Sequence, residues 1–154
     1  MVSSMKVKDI MVKNVICATP KTKIRKVAKI LIDNKIHGVP IVKNKRVVGI
    51  ITETDFFVKG ENSLYIPSFI EFMKKSKIFR AVSIKKKLEL RSILKATAKD
   101  IMSSPCITVN PETDLSTLLN LFRKKNLHTI PVVDNNGFIC GIITLVDIIS
   151  LVKI

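Results

Sequence analysis

The sequence predicts an α/β (α+β) fold built from two copies of one unit, each running strand, helix, strand, strand, helix. Three observations carry this prediction: repeated sequence blocks, one amphipathic stripe per repeat, and short apolar runs that follow each stripe. The repeated blocks are KDIM at 8–11 and 99–102, HGVPIV at 37–42 with HTIPVV at 128–133, and GIITETD at 49–55 with GIITLVD at 141–147. Repeated units of this length usually pack about a pseudo-twofold axis.

One amphipathic helix is predicted in each repeat. The apolar positions at helical spacing are Ile24, Val27, Ala28 and Leu31 in the first repeat, and Leu115, Leu118, Leu119 and Phe122 in the second. Thr22 and Thr113 stand just before these stripes and are predicted to be the N-caps. Pro20 and Pro111 oppose any earlier helical start.

Two short strands are predicted after each helix. They cover Val39–Val42 and Val47–Ile51 in the first repeat, and Ile130–Val133 and Phe138–Ile143 in the second. Tight turns at 43–46 and 134–137 connect them. The offset between repeats is 91 for the first two blocks and 92 for the third, so an extra residue is expected in the turn 135–137. A second helix should begin at Asp55 and at Asp147.

These elements divide the chain into a first motif at 5–59, a helical connector at 60–96 and a second motif at 97–154. The 154 residues carry a formal net charge of +15, and the connector holds the densest run of lysine and arginine. Such a surface attracts phosphate groups, which leaves nucleic acid open as a partner of the basic segment 74–99. Only 5% of residues are aromatic, so stacking platforms for single-stranded nucleic acid are scarce.

Composition also argues against several classes of protein. No apolar run reaches the roughly 18 residues of a membrane span, and a signal-peptide pattern is missing, so a cytoplasmic location is expected. Cys17, Cys106 and Cys140 are odd in number and lack C-x-x-C spacing, which favours small core residues over a disulfide framework or a metal site. No nucleophile, base or phosphate-loop pattern predicts a catalytic residue.

Taken together, the KDIM block, the Thr-Pro or Asn-Pro step, His-x-x-Pro-x-Val and Gly-x-x-Thr-x-x-Asp resemble the CBS domain, the motif named after cystathionine β-synthase. Two in tandem resemble a Bateman module. The resemblance implies a protein that is not an enzyme and needs no cofactor. It also implies a regulatory module that binds AMP, ADP, ATP or S-adenosylmethionine in clefts between the motifs and signals to a partner protein.

The resemblance further implies that each cleft is built crosswise from both motifs. The first cleft is expected to contain Thr19, Ile24, Ile36, His37, Ile142, Thr144, Val146 and Asp147. The second is expected to contain Asn110, Leu115, Leu127, His128, Ile50, Thr52, Thr54 and Asp55. In these sets the apolar residues Ile24, Ile36, Leu115 and Leu127 would sandwich adenine. Because Val146 replaces a hydroxyl in one cleft and Asn110 replaces Thr in the other, unequal affinities are expected.

The repeated Thr-x-x-Asp has a physical rationale and an alternative. An ionised carboxylate accepts hydrogen bonds from both hydroxyls of a ribose, and a helix start beside it offers free N–H groups to a phosphate. The alternative is a capping box, in which the acid only satisfies the helix terminus. His37 and His128 would face the phosphate region, but the arginine that often follows in the family is Gly38 or Thr129 here, which leaves room for a ligand without phosphate.

Two further expectations concern assembly. Apolar residues of the second helices exceed what one unit can bury, which favours a homodimer; they are Phe56, Phe57, Val58, Ile148, Ile149, Leu151 and Val152. A purely structural dimerisation module with empty clefts is the remaining alternative.

Overall fold

The computed structural model describes residues 4–56 and 95–152. The first repeat contains α1 (Val7–Ile10), α2 (Ile24–Asn34), β1 (Gly38–Lys43), β2 (Arg46–Thr52) and a 3₁₀ turn at Glu53–Phe56. The second contains α3 (Ala98–Ile101), α4 (Leu115–Lys125), β3 (Thr129–Val133), β4 (Ile139–Thr144) and α5 (Leu145–Ile149). The predicted α+β fold is confirmed. Most of the predicted connector, with Phe57 and Val58, lies outside the described residues.

Helices α2 and α4 bury the predicted apolar stripes, with one exception. Leu119 is 40% exposed on α4, whereas Leu115, Leu118 and Phe122 are buried. The predicted N-caps are wrong by one residue, because α2 is capped by Lys23 and α4 by Asp114. The Thr22 and Thr113 hydroxyls instead accept from the N–H of residues 19 and 110, at 3.0 and 3.2 Å, and so close the preceding turns.

Each repeat forms a two-stranded antiparallel sheet. Gly38 pairs with Thr52 at one end of the first sheet, and Thr129 pairs with Thr144 at the equivalent end of the second. The expected leading strand of each unit is a single parallel bridge, from Ala18 to β1 and from Val109 to β3. Pro20 and Pro111 stand where the next ladder donor would be, and proline has no N–H to continue the pairing.

The two hairpin turns explain the one-residue change in offset. Lys43 pairs with Arg46 across a two-residue turn, in which both central residues have positive φ. In the second hairpin, the N–H of Asp134 donates to the carbonyl of Phe138 at 2.9 Å, which leaves residues 135–137 as the turn. Gly137 has φ of +81°, a conformation that suits glycine. The extra residue therefore lies in the predicted turn.

The two repeats exchange their leading segments. Val7 of α1 is fully buried in the core of the second repeat, and Ala98 of α3 is fully buried in the core of the first. The exchanged segments also accept the first N–H of each long helix: Leu115 donates to Met5 at 3.0 Å, and Ile24 donates to Ala96 at 3.1 Å. The exchange therefore supplies acceptors for the first N–H of α2 and of α4, whose N-caps Lys23 and Asp114 make no side-chain hydrogen bond.

The pseudo-twofold relation brings equivalent positions together. A Cβ built on Gly38 would lie 3.1 Å from Cγ2 of Thr129, the equivalent residue of the second repeat. A Cβ built on Gly49 would lie 2.7 Å from Sδ of Met102, and one on Gly141 would lie 2.5 Å from Sδ of Met11. The repeated strand glycines therefore admit the methionines of the exchanged segments.

The three cysteines are free and half-buried, and burial raises the pKa of the Cys17 and Cys106 thiols. In the part of the chain that the structure describes, no helix is long and apolar enough to cross a membrane.

One expectation for assembly is corrected: Phe56 is 5% exposed and belongs to the first core, so it is not an unpaired surface residue.

Candidate functional site

A cavity of about 310 Å³ lies between the two repeats on one side of the pseudo-twofold axis. We call it the first cleft. Its walls are Val12, Asn14, Ile16, Lys35, Ile36, His37, Gly38, Thr129, Ile142, Thr144, Val146 and Asp147. Six of the eight residues expected at the first cleft line this cavity.

The crosswise construction follows from the exchange of segments. Val12 forms two backbone hydrogen bonds with Ile142 of β4, each 2.9 Å, so the segment after α1 lies beside the second repeat. Ile36 and His37 reach the same cavity from the end of α2. The end of α2 is shaped by Lys35, whose φ of 51° turns the chain toward β1.

Asp147 uses one carboxylate oxygen within its own chain. Its Oδ2 accepts from the Thr144 N–H at 2.7 Å and from the Thr144 hydroxyl at 2.8 Å, which is the capping box at the start of α5. Within residues 4–56 and 95–152, Oδ1 accepts no hydrogen bond. The capping interpretation therefore accounts for half of this carboxylate and leaves one oxygen available to a ligand.

Thr129 adds a second unused polar group to the first cleft. The residue is 6% exposed, and its Oγ1 has no hydrogen-bond partner among the described residues. Buried hydroxyls are normally hydrogen-bonded, so a group of this kind at a cavity wall suits a ligand atom or an ordered water. Sequence reasoning noted Thr129 only as a replacement for arginine, because its burial depends on Gly38 across the axis.

His37 is paired with a carboxylate. Its Nδ1 contacts Oε1 of Glu53, and both side chains are more than half exposed. Lys35 also lines the cavity. The position equivalent to Glu53 in the second repeat is Leu145, so this acid is a feature of the first repeat alone. An acid beside the histidine competes with any phosphate that the histidine would otherwise attract.

The other two residues expected at the first cleft lie elsewhere. Ile24 is 1% exposed within the first core, because it is the first apolar position of the α2 stripe. Thr19 lines a separate, wider depression on the outer face of α2, and its hydroxyl lies 3.1 Å from that of Thr22.

The second cleft differs from the first around its repeated acid. The Asp55 carboxylate accepts from the Thr52 N–H at 2.7 Å and from the Ser103 hydroxyl at 3.0 Å, which engages both of its oxygens. The Thr52 and Thr54 hydroxyls lie 3.0 Å apart and bond to each other. Ile50 is 9% exposed and is paired with Ser103 through the backbone.

The remaining residues expected at the second cleft are divided among other parts of the fold. Leu115 is 3% exposed in the second core, for the same reason as Ile24. The Asn110 side chain bonds to Asn135 at 2.8 Å and to the N–H of Glu112 at 2.9 Å, so it organises the turn before α4. Leu127 and His128 line a depression along α4.

Metal binding finds no support in the described part of the chain, where no group of three or more His, Cys, Asp or Glu could hold an ion.

Comparison with known proteins identifies the family. The CBS-domain family model matches residues 7–59 and 98–154. The chain belongs to the CBS-domain family. Two motifs in one chain make it a tandem CBS, or Bateman, module, as the sequence resemblance implied.

Three relatives of this CBS-domain protein are informative. It is 30% identical to the uncharacterized protein MJ1426 of Methanocaldococcus jannaschii, over 95% of this chain and 90% of that protein. It is 25% identical to inosine-5′-monophosphate dehydrogenase of Thermoplasma acidophilum, over 94% of this chain but only 23% of the enzyme. It is 30% identical, with a TM-score of 0.67, to the CBS domain pair of protein MJ0100 in complex with 5′-methylthioadenosine and S-adenosyl-L-methionine, over 96% of this chain and 94% of that one.

Proposed function

We propose that this CBS-domain protein is a regulatory module that binds an adenosine-containing ligand in the first cleft and signals its occupancy to a partner. The observation that carries the proposal is that Oδ1 of Asp147, in a cleft shared by both repeats, accepts no hydrogen bond from the residues that the structure describes. A ribose diol would donate to this oxygen, and the unpaired hydroxyl of Thr129 would supply a further polar contact. Ile36 and Ile142 offer the apolar surface that a base needs.

The pairing of His37 with Glu53 and the glycine at position 38 favour a ligand without a 5′-phosphate, with Lys35 as a cation in the same wall. The Glu53 carboxylate pairs with the His37 imidazole, which would otherwise face a phosphate. Gly38 stands at the position where other members of the family often have an arginine that binds phosphate. Neutral 5′-methylthioadenosine or cationic S-adenosylmethionine avoids this repulsion. The complex of the MJ0100 domain pair with these two compounds supports the same choice. AMP, ADP and ATP are therefore expected to bind more weakly.

The output surface is proposed to be the outer side of α5 and the residues after it. Ile149 and Val152 are 66% and 68% exposed, and Val146 of the same helix lines the cleft. A ligand held by Asp147 contacts this helix directly, so its binding can bias the packing of α5 against a second copy of the chain. Ligand-dependent self-association, or docking of a regulated protein at this surface, is the proposed signal.

A thermal-shift and calorimetry panel tests the proposed function. The compounds are AMP, ADP, ATP, S-adenosylmethionine and 5′-methylthioadenosine. A ligand at 100 times its dissociation constant stabilises a folded protein by about 2.7 kcal/mol, which is a readily measured shift. S-adenosylmethionine and 5′-methylthioadenosine, the two compounds that lack phosphate, are expected to shift the midpoint at lower concentrations than AMP, ADP and ATP. If no compound shifts the midpoint, the module does not sense adenosine ligands.

Matched variants separate ligand binding from helix capping. Asp147→Asn keeps an acceptor for the Thr144 box but turns an NH₂ group toward the cleft, so affinity should fall by roughly 10- to 100-fold. Asp100→Asn is the control, because Asp100 makes the same box with Thr97, at 2.7 and 3.1 Å, away from the cleft. Equal affinity in the two variants would contradict the assigned role of Asp147.

A further inference from the structure

The exchanged segments place equivalent residues with different chemistry beside the two repeated acids. Val12 pairs through its backbone with Ile142, and Ser103 pairs in the same way with Ile50, at 3.1 and 2.9 Å. Val12 and Ser103 are separated by the repeat offset of 91 residues. Each therefore occupies the same place in its cleft, next to the acid of the neighbouring strand and helix.

Ser103 engages the acid of the second cleft. Its Oγ donates to Oδ1 of Asp55 at 3.0 Å, while Oδ2 accepts from the N–H and, at 3.3 Å, the hydroxyl of Thr52. The Val12 side chain has no donor, and Oδ1 of Asp147 accepts no hydrogen bond within the described ranges. The Ser103 hydroxyl is therefore the difference between Asp55, whose two oxygens both accept hydrogen bonds, and Asp147, whose Oδ1 accepts none from the described residues.

We propose that the Ser103 hydroxyl takes the place of a ligand hydroxyl on the Asp55 carboxylate. This hydrogen bond closes the second cleft to a sugar diol and limits the module to one tightly bound adenosine ligand per chain. The inference rests on the proposed function of the first cleft. A ribose that entered the second cleft would have to displace a charge-assisted hydrogen bond already made inside the protein. That competition weakens binding by at least about tenfold relative to the first cleft.

The test exchanges the two residues and counts bound ligand. At ligand concentrations that saturate only the tight site, isothermal titration with 5′-methylthioadenosine is expected to show one site in the unaltered chain and two sites in Ser103→Val. Val12→Ser places a donor beside Asp147 and should weaken the first cleft by about tenfold or more. At those concentrations the double variant should show one site, now in the second cleft, which adding Asp55→Asn removes and adding Asp147→Asn leaves in place.

A neighbouring serine supplies the control for the segment itself. The Ser104 hydroxyl donates to the Val48 carbonyl at 2.8 Å and does not touch Asp55, so Ser104→Ala should keep a single site. Ser103 is exposed, and thermal unfolding of each variant shows whether it remains folded. Two sites in the unaltered chain, or one site in Ser103→Val, would overturn the inference while leaving the proposed function intact. No binding by any variant would refute both.

Discussion

Replacing Gly141 with alanine tests whether the exchanged segment is a determinant of stability. The new Cβ would lie 2.5 Å from Sδ and 3.0 Å from Cγ of Met11, and 3.2 Å from the carbonyl oxygen of Val12. The methionine tip can move, but the Val12 carbonyl is fixed by its 2.9 Å hydrogen bond from Ile142. The substitution therefore pushes the leading segment of the first repeat away from the second.

The expected magnitude follows from two opposing effects. Overpacking a filled interior costs about 1–3 kcal/mol. Replacing glycine by alanine also restricts the unfolded chain, which returns about 0.4–1 kcal/mol. The free energy of unfolding of Gly141→Ala should therefore fall, by up to about 2.6 kcal/mol. Because Val12 also lines the first cleft, this variant should bind ligand more weakly as well.

A double-mutant cycle in urea makes the test specific. In Met11→Ala with Gly141→Ala, the shortened side chain removes the contacts with Sδ and Cγ and leaves only that with the Val12 carbonyl, so the combined cost should be smaller than the sum by about 0.5 kcal/mol or more. Met11→Ala with Gly49→Ala is the control, because Gly49 faces Met102 instead and the two costs should add. Additive costs in both cycles would refute the exchanged packing.

Two further predictions concern pH and assembly. Hydrogen bonds from Lys6 and Lys8 lower the pKa of Glu112 to about 2 from 4.5, so the stability that this carboxylate contributes is present above 4.5 and is lost as pH falls toward 2. Glu112→Gln should match the unaltered chain at the acid end of that window and be slightly less stable above it, as measured by urea unfolding at low salt; a constant difference would contradict the assignment. Ile149→Asp should weaken ligand-dependent self-association in sedimentation without lowering the free energy of unfolding, whereas Ile148→Asp, which packs against the second core, should lower it; unchanged sedimentation of Ile149→Asp would place the output elsewhere.

Much of the fold was predictable from local patterns. The α2 stripe and the apolar runs of β1 and β3 are buried as their periodicity indicated, and the offset between repeats located the extra turn residue. The N-caps were predicted one residue too early, at Thr22 and Thr113, because threonine is a common N-cap residue and Lys23 is not. Their hydroxyls bond to the turns before them, and the chain already supplies acceptors for the helix starts from Met5 and Ala96.

The candidate site was predictable in part. Resemblance to the family placed Ile36, His37 and Asp147 in one cleft, and the structure brings them to one cavity. The resemblance also placed Ile24 at this cleft, but Ile24 is buried in the first core. Spacing alone cannot show whether one residue of an apolar helix stripe faces the core or a cavity. The Thr129 hydroxyl, which has no partner among the residues that the structure describes, carried no sequence signal, since its burial requires a contact from the other repeat.

The sequence by itself determined that this protein has two CBS motifs, where their amphipathic helices and hairpin strands lie, and where the repeated acids lie. Those properties follow from periodicity, from repeated blocks and from their resemblance to the family, all of which are local in the chain. Only the tertiary structure decided that the leading segments cross between the repeats and that Val12 and Ser103 face different acids. Contacts between residues some fifty or more positions apart depend on how whole units pack. For that reason two motifs that share the same blocks form two clefts whose carboxylates have different partners.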